Sequence, residues 1–429
     1  MKLILRGGRI IDPSQNLDME ADLVIIDEKV SAIEQNRSGD KADDSTTLID
    51  VSGMVVSPGL IDMHTHLREP GFEYKETIQT GSNAALAGGF TALACMANTD
   101  PVNDSRSVTE FILRQAALAG GTRIYPVAAV SKGQNGKILT EFGDLREAGV
   151  VAFSDDGRPV TDSGLMRSAL EYAFSLGIPV ISHCEDMGLA EGGQMNEGFP
   201  STELGLQGIP SIAEDIMVLR DIALAEYTGT KIHIAHVSTA GSIRAVADAK
   251  KRGVPVTAET APHYATLTDE ALRDYSTHCK VYPPLRNSED MAAVREALRD
   301  GTLDVIASDH APHSSIEKDV EFEYALPGII GLETSLAVCL SLVHDGVLTL
   351  PQLIEKMSTN PAKILGIAGG GLATGVTADV TVIDPLAEWT VDTATFRSKS
   401  RNCPFQGWTL RGKAVMTIVG GVIKFDTRS

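Results

Sequence analysis

The chain has 429 residues, with 37 Lys+Arg against 57 Asp+Glu for a formal net charge of −20. That length is about two to three times a typical single domain, which excludes one small module, and the acidity argues against phosphate backbones and anionic lipid as partners. Hydrophobic residues at 43% with 22% charged are the composition of a compact folded chain rather than a disordered one.

The opening, MKLILRGGRIIDPSQ, has an apolar stretch too short for a signal peptide or a membrane span. Residues 2–5, 21–26 and 47–51 read as short strands, separated by Gly, Asp-Pro and a polar stretch at 35–44. From residue 55 the pattern changes to apolar runs at 55–63, 91–96, 124–130, 150–154, 179–182, 231–235, 254–258 and 304–308. Segments of helical spacing connect most of them. Eight runs buried on both faces predict a parallel βα array, either a closed (β/α)8 barrel or an open doubly wound sheet. The end of the chain returns to strands at 378–383, 408–411 and 414–424. The expected organisation is a TIM-like barrel over 55–365 and a small β-sandwich domain built jointly from 1–54 and 366–429. Five scattered cysteines, with no C-x-x-C pair and an odd count, suit a reducing cytoplasm.

Polar residues at the C-terminal ends of the runs favour the barrel, because there they converge on one mouth. Seven of the eight runs carry one: His64 and His66, Asn98, Asp155 and Asp156, His183, His236, His263 just after Glu259, and Asp309. In a strand of period 2, His64 and His66 point the same way. Taken singly, each of these is an ordinary buried histidine or a helix-capping aspartate. Together, four histidines and an aspartate at equivalent heights point to a hydrolytic divalent metal, zinc above others, with His and carboxylate ligands. A two-metal site also needs a bridging oxygen ligand. Many enzymes of this architecture use a carboxylated lysine on strand four, but no lysine lies between Lys137 and Lys231. The fourth run instead ends in Asp155-Asp156-Gly157, with Asp156 preferred as bridge and Asp155 as the alternative. Arg68, two residues past His66, offers a planar fork for a substrate carboxylate, and Asn98 and His313 lie just beyond strand ends two and eight. His233, His278, His310 and His344 read as structural.

The strings HTHLREPG (64–71), MANTDP (96–101), FSDDG (153–157), ASDHAPHSSIEK (307–318) and GIIGLE (328–333) resemble the signatures of dihydroorotases of the amidohydrolase superfamily, along the whole chain. Asp-Asp-Gly in place of a strand-four lysine resembles the bacterial, longer-chain class. The resemblance implies one zinc on His64, His66, Asp156 and Asp309, and a second on His183 and His236 with Asp156 shared. It implies substrate contacts from His66, Arg68, Asn98 and His313 and from the backbone at Pro327 and Gly328. It also implies interconversion of N-carbamoyl-L-aspartate and L-dihydroorotate, with Asp309 as the acid/base toward zinc-activated water. The family commonly reads Lys-x-Asn-Pro-Pro-Leu-Arg where this chain has Tyr282 in KVYPPLR (280–286), so Tyr282 stands at a substrate-contacting position without a carboxamide. Segment 314–326, directly after His313, is the natural lid candidate. A hydantoinase or allantoinase, or a non-catalytic homologue that scaffolds another pyrimidine enzyme, are the alternative readings. A homodimer and association with aspartate transcarbamoylase stay open.

Overall fold

The computed structural model describes residues 2–35 and 45–428. All of the polar stretch 35–44 except Gln35 therefore lies outside the described residues. Eight short parallel strands form the centre: Leu60–Thr65, Phe90–Cys95, Arg123–Ala128, Ala152–Phe153, Ile181–Ser182, Ile232–Ile234, Val256–Thr260 and Val305–Ile306. They pair in that order as two four-stranded sheets. Bridges between Phe153 and Val180, and between Thr65 and His310, join the sheets at both edges and close the barrel. The apolar runs exist because these strands are covered on both faces, by the barrel interior within and by helices without.

The helices are specified locally. Thr77 and Thr80 form a capping box at the start of Ile78–Ala87, Thr239 caps Ala240–Lys251, and Asn287 accepts from the Glu289 and Asp290 amides at the start of Ser288–Asp300. Helix Ala240–Lys251 buries Ile243, Val246 and Ala249 at helical spacing and places Lys250 and Lys251 at its C-terminal end, where the helix dipole favours cations. No helix among the described residues is long and apolar enough to cross a membrane. All five cysteines are buried free thiols.

Strands from both ends of the chain share one eight-stranded sheet. Lys2–Asp12 pairs with Leu17–Ile26, Thr46–Asp50 and Val55–Pro58, and Val55–Pro58 pairs with Val380–Thr390, which continues to Thr409–Val419 and Val422–Asp426. This sheet has its own core, in which Leu3, Leu5, Leu23 and Val56 meet Val380, Val382, Met416 and Ile418. Val55–Pro58, expected to begin the first barrel strand, thus belongs to the terminal sheet, and the barrel strand begins at Leu60. The crossing falls at Gly59, where a Cβ would come within 2.7 Å of the whole outer part of the Thr91 side chain. Only glycine fits that close approach.

Candidate active site

Eleven of the twelve site residues expected from the sequence line one cleft at the C-terminal mouth of the barrel: His66, Arg68, Asn98, Asp156, His183, His236, Tyr282, Asp309, His313, Pro327 and Gly328. The twelfth, His64, lies beneath them and is fully buried. Arg68, His236 and Asp309 hold left-handed backbone, with φ of 63°, 34° and 49°. Non-glycine residues adopt that region rarely and at some cost. It occurs here where the chain turns out of a strand end and aims a side chain back over the mouth.

Asp156 is the centre of the cluster. Its Oδ1 lies 3.3 Å from His64 Nε2, 3.3 Å from His236 Nε2 and 3.5 Å from His183 Nδ1, and its Oδ2 lies 3.4 Å from His66 Nε2. Asp309 Oδ1 is 3.1 Å from His66 Nε2 and 3.6 Å from His64 Nε2. The donors form two metal-competent triads, His64–His66–Asp156 and Asp156–His183–His236, with Asp156 common to both. Asp155 faces the opposite way. It accepts from the Ser131 amide and hydroxyl, and burial raises its carboxyl to about 6.

The donors fit a divalent metal chemically. His64 Nδ1 lies 2.6 Å from Glu259 Oε1, so its proton sits on Nδ1 and its Nε2 lone pair faces carboxylate oxygens. His64 Nε2 and His236 Nδ1 are buried without a hydrogen-bond partner. Each such orphan costs about 1–3 kcal/mol, and at His64 Nε2 a cation between imidazole and carboxylate removes the cost. The protonation tendencies say the same. Burial alone would lower the His64 pKa, but Asp156, Glu259 and Asp309 hold it well above the usual imidazole range. Burial would likewise raise Asp156 and Asp309, and the surrounding imidazoles pull both below the ordinary carboxylate value. Positive charge is wanted at this point. Imidazole and carboxylate donors with a shared carboxylate suit zinc.

Beside the cluster is a wall suited to an anion. Arg68 Nε donates to the Pro312 carbonyl at 3.2 Å, which fixes the guanidinium, and its Nη2 lies 3.5 Å from His313 Nε2. Asn98 Oδ1 accepts from His66 Nδ1 at 2.8 Å, leaving the amide N–H groups free to donate. His313 Nε2 donates to the Pro327 carbonyl at 2.9 Å. Burial, then Arg68, Lys75 and Lys318, push the His313 imidazole down to about 2, so it stays neutral and the wall's charge is that of Arg68. Gly328 has φ of 135°, and a Cβ there would lie 2.8 Å from Ala311 Cβ and 3.1 Å from His313 Cδ2. Its glycine is required twice, by backbone and by space. The Tyr282 ring lines the cleft, but its hydroxyl donates to the Gly193 carbonyl at 2.6 Å.

Three further cleft residues, Gly157, Glu185 and Ala311, were not among those expected there, and Leu326, the last residue of the lid candidate, lines it as well. Glu185 was within reach of the sequence reading. It stands two residues past His183 on the same strand-end face and lies 3.4 Å from His183 Nε2. The lid candidate, in contrast, is fastened. Lys318 Nζ donates to the Thr277 and Leu326 carbonyls at 2.9 and 2.7 Å, and Lys280 Nζ donates to Phe322 O at 2.7 Å. Lys318 ends the string ASDHAPHSSIEK and Lys280 opens KVYPPLR, but nothing in either string shows which backbone carbonyls the two ammonium groups reach.

Residues 53–242 match the family model described as Dihydro-orotase-like, and residues 213–425 match that of the Amidohydrolase family. The chain is 60% identical over 426 residues to a dihydroorotase of Syntrophus aciditrophicus, covering 99% of this chain and 100% of the relative. It is 57% identical over 423 residues to one of Geobacter sulfurreducens, covering 99% of each. The chain belongs to the dihydroorotase family. Family membership makes it a hydrolase. Among solved structures, an L-hydantoinase (dihydropyrimidinase) from Arthrobacter aurescens superposes with a TM-score of 0.88 at 25% identity, over 99% of this chain and 96% of that one. A D-hydantoinase from Thermus sp. gives 0.84 at 26%, over 100% and 96%. This chain therefore shares its overall fold with these hydantoinase structures.

Proposed function

We propose that the protein is a zinc-dependent dihydroorotase that interconverts N-carbamoyl-L-aspartate and L-dihydroorotate plus water, the ring-closing step of pyrimidine synthesis. The observation that supports this most is the juxtaposition of the two Asp156-sharing triads with the Arg68–Asn98–His313 wall in one cleft. His64, His66, Asp156 and Asp309 would hold one zinc; His183 and His236 would hold a second, with Asp156 between them. Bound there, zinc supplies Lewis acidity, lowering the pKa of a water toward about 7 and polarising the ring carbonyl. Asp309 takes the proton of the attacking water and delivers it to the departing ring nitrogen; in ring closure the same carboxyl runs the transfer backwards. Arg68 receives the ring-borne carboxylate in fork geometry, and Asn98 donates to it from its free amide. His313 adds polarity without charge, so Arg68 and the metal together must draw an anion to a chain of net charge −20.

Hydantoin rings carry no such carboxylate, which is why Arg68 favours dihydroorotate over the substrates of the structural relatives. Carbamoyl aspartate has one more carboxylate than the ring, so closure consumes a proton and acid favours the ring. The purified protein should bring mixtures of the two to one ratio from either side, with the ring share falling as pH rises. Activity should vanish on chelation and return with zinc. Faster turnover of hydantoin or allantoin than of dihydroorotate would refute the substrate assignment, and chelator-insensitive turnover would refute the metal.

The Tyr282 hydroxyl is already committed to Gly193. Tyr282→Phe should therefore leave the KM for dihydroorotate unchanged and cost about 0.5–1.5 kcal/mol of stability, the worth of one internal hydrogen bond. A large rise in KM would instead place that hydroxyl on the substrate.

A further inference from the structure

Beneath the cleft a chain of buried polar side chains runs away from the substrate space. Glu259 Oε1 lies 2.6 Å from His64 Nδ1, Glu259 Oε2 lies 3.2 Å from His233 Nε2, and His233 Nδ1 lies 2.8 Å from Thr257 Oγ1. Local register explains the arrangement. Thr257 and Glu259 alternate on strand Val256–Thr260 and so share a face, and His233 is the direct partner of Thr257 on the neighbouring strand. Glu259 and His233 are 1% and 0% exposed, and neither lines the cleft.

A buried carboxylate is costly unless it is paired and hydrogen-bonded. Glu259 spends both oxygens on imidazoles, one of which belongs to the metal-competent triad. It has no route to substrate, so its influence on the reaction has to pass through His64. Its bond to Nδ1 fixes the tautomer that leaves the Nε2 lone pair facing Asp156 and Asp309, and sets the angle of the ring. Asn98 does the same for His66 from within the cleft.

We propose that Glu259, itself held by His233, is a positioning residue that orients His64 as a metal ligand. The inference rests on the zinc reading above. Its test is metal affinity in the metal-stripped full chain, by competition with a chromogenic chelator, alongside kcat and KM. Glu259→Gln should weaken zinc binding about 10–100-fold and lower kcat, with the KM for dihydroorotate unchanged, because the Arg68 wall is untouched. A folded Glu259→Gln chain with wild-type zinc affinity would overturn the positioning role and leave the zinc reading standing. A wild-type chain that binds no zinc would overturn the zinc reading, and this inference with it. Should Glu259→Gln not fold, His233→Leu decides, since it removes the donor to one Glu259 oxygen and keeps the carboxylate at His64. Weaker zinc binding there supports the proposal, and unchanged binding overturns it.

Discussion

Asp309→Asn should lower kcat for dihydroorotate by about 10²–10⁴-fold, the range lost when a positioned acid/base group is removed, while the purified chain still carries zinc. The separation of the two effects follows from geometry. Asp309 Oδ1 lies 3.1 Å from His66 Nε2, a contact that an asparagine carbonyl oxygen retains, so the metal-facing lone pair survives. The amide cannot accept and return a proton at that place. His64, His66 and His236 overcome burial to keep the native carboxyl below its ordinary pKa, so it stands ready as a base throughout the neutral range. Turnover in the variant near that of the wild type, with zinc content confirmed by elemental analysis, would remove Asp309 from the proton path.

Asp156→Ala should be the most damaging single change in the cluster. Asp156 lies within 3.5 Å of a nitrogen of each of His64, His66, His183 and His236, and it belongs to both triads. Removing it deletes the carboxylate common to both triads and leaves four buried imidazoles without it. Zinc content should fall below that of the wild type and activity with it, and the metal-free chain should melt at lower temperature. Asp155→Asn is the matched control, because Asp155 serves Ser131 on the other side of the strand end, and it should keep its zinc. Unchanged zinc in Asp156→Ala would put the bridge elsewhere.

What could be read in advance followed from strand periodicity. His64 and His66 are two residues apart at the end of a barrel strand, and six of the seven later runs carried a polar residue at their C-terminal ends, so most of the cluster was legible one strand at a time. The boundary at residue 58 was marked only by Ser57-Pro58-Gly59, a turn signal inside a stretch with apolar pairs, Val55-Val56 and Leu60-Ile61, on both sides. Burial in two different cores leaves the same composition. Glu259 and His233 were visible as residues but not as a pair with His64, since 195 positions separate Glu259 from its partner and only closure of the barrel brings them together. Tyr282 departs from the family pattern in sequence; that its hydroxyl is taken by a backbone carbonyl 89 positions away depends on a loop that composition does not specify. Asp155 and Asp156 were separable in principle by alternation, and the structure assigns them to opposite faces.

The barrel closes where Thr65 bridges His310 and the His66 amide donates to the His310 carbonyl at 2.8 Å. Just inward, Asp62 accepts from the Ser308 amide. This seam joins the first barrel strand to the last, and His64, His66 and Asp309 sit on its two sides. His66 and Asp309, 243 positions apart in the chain, are thus brought together by closure of the barrel. A nascent chain that ends short of Asp309 contains both triads but lacks the proposed acid/base, and an ion held by His66 and Asp309 would act as a rivet across the join.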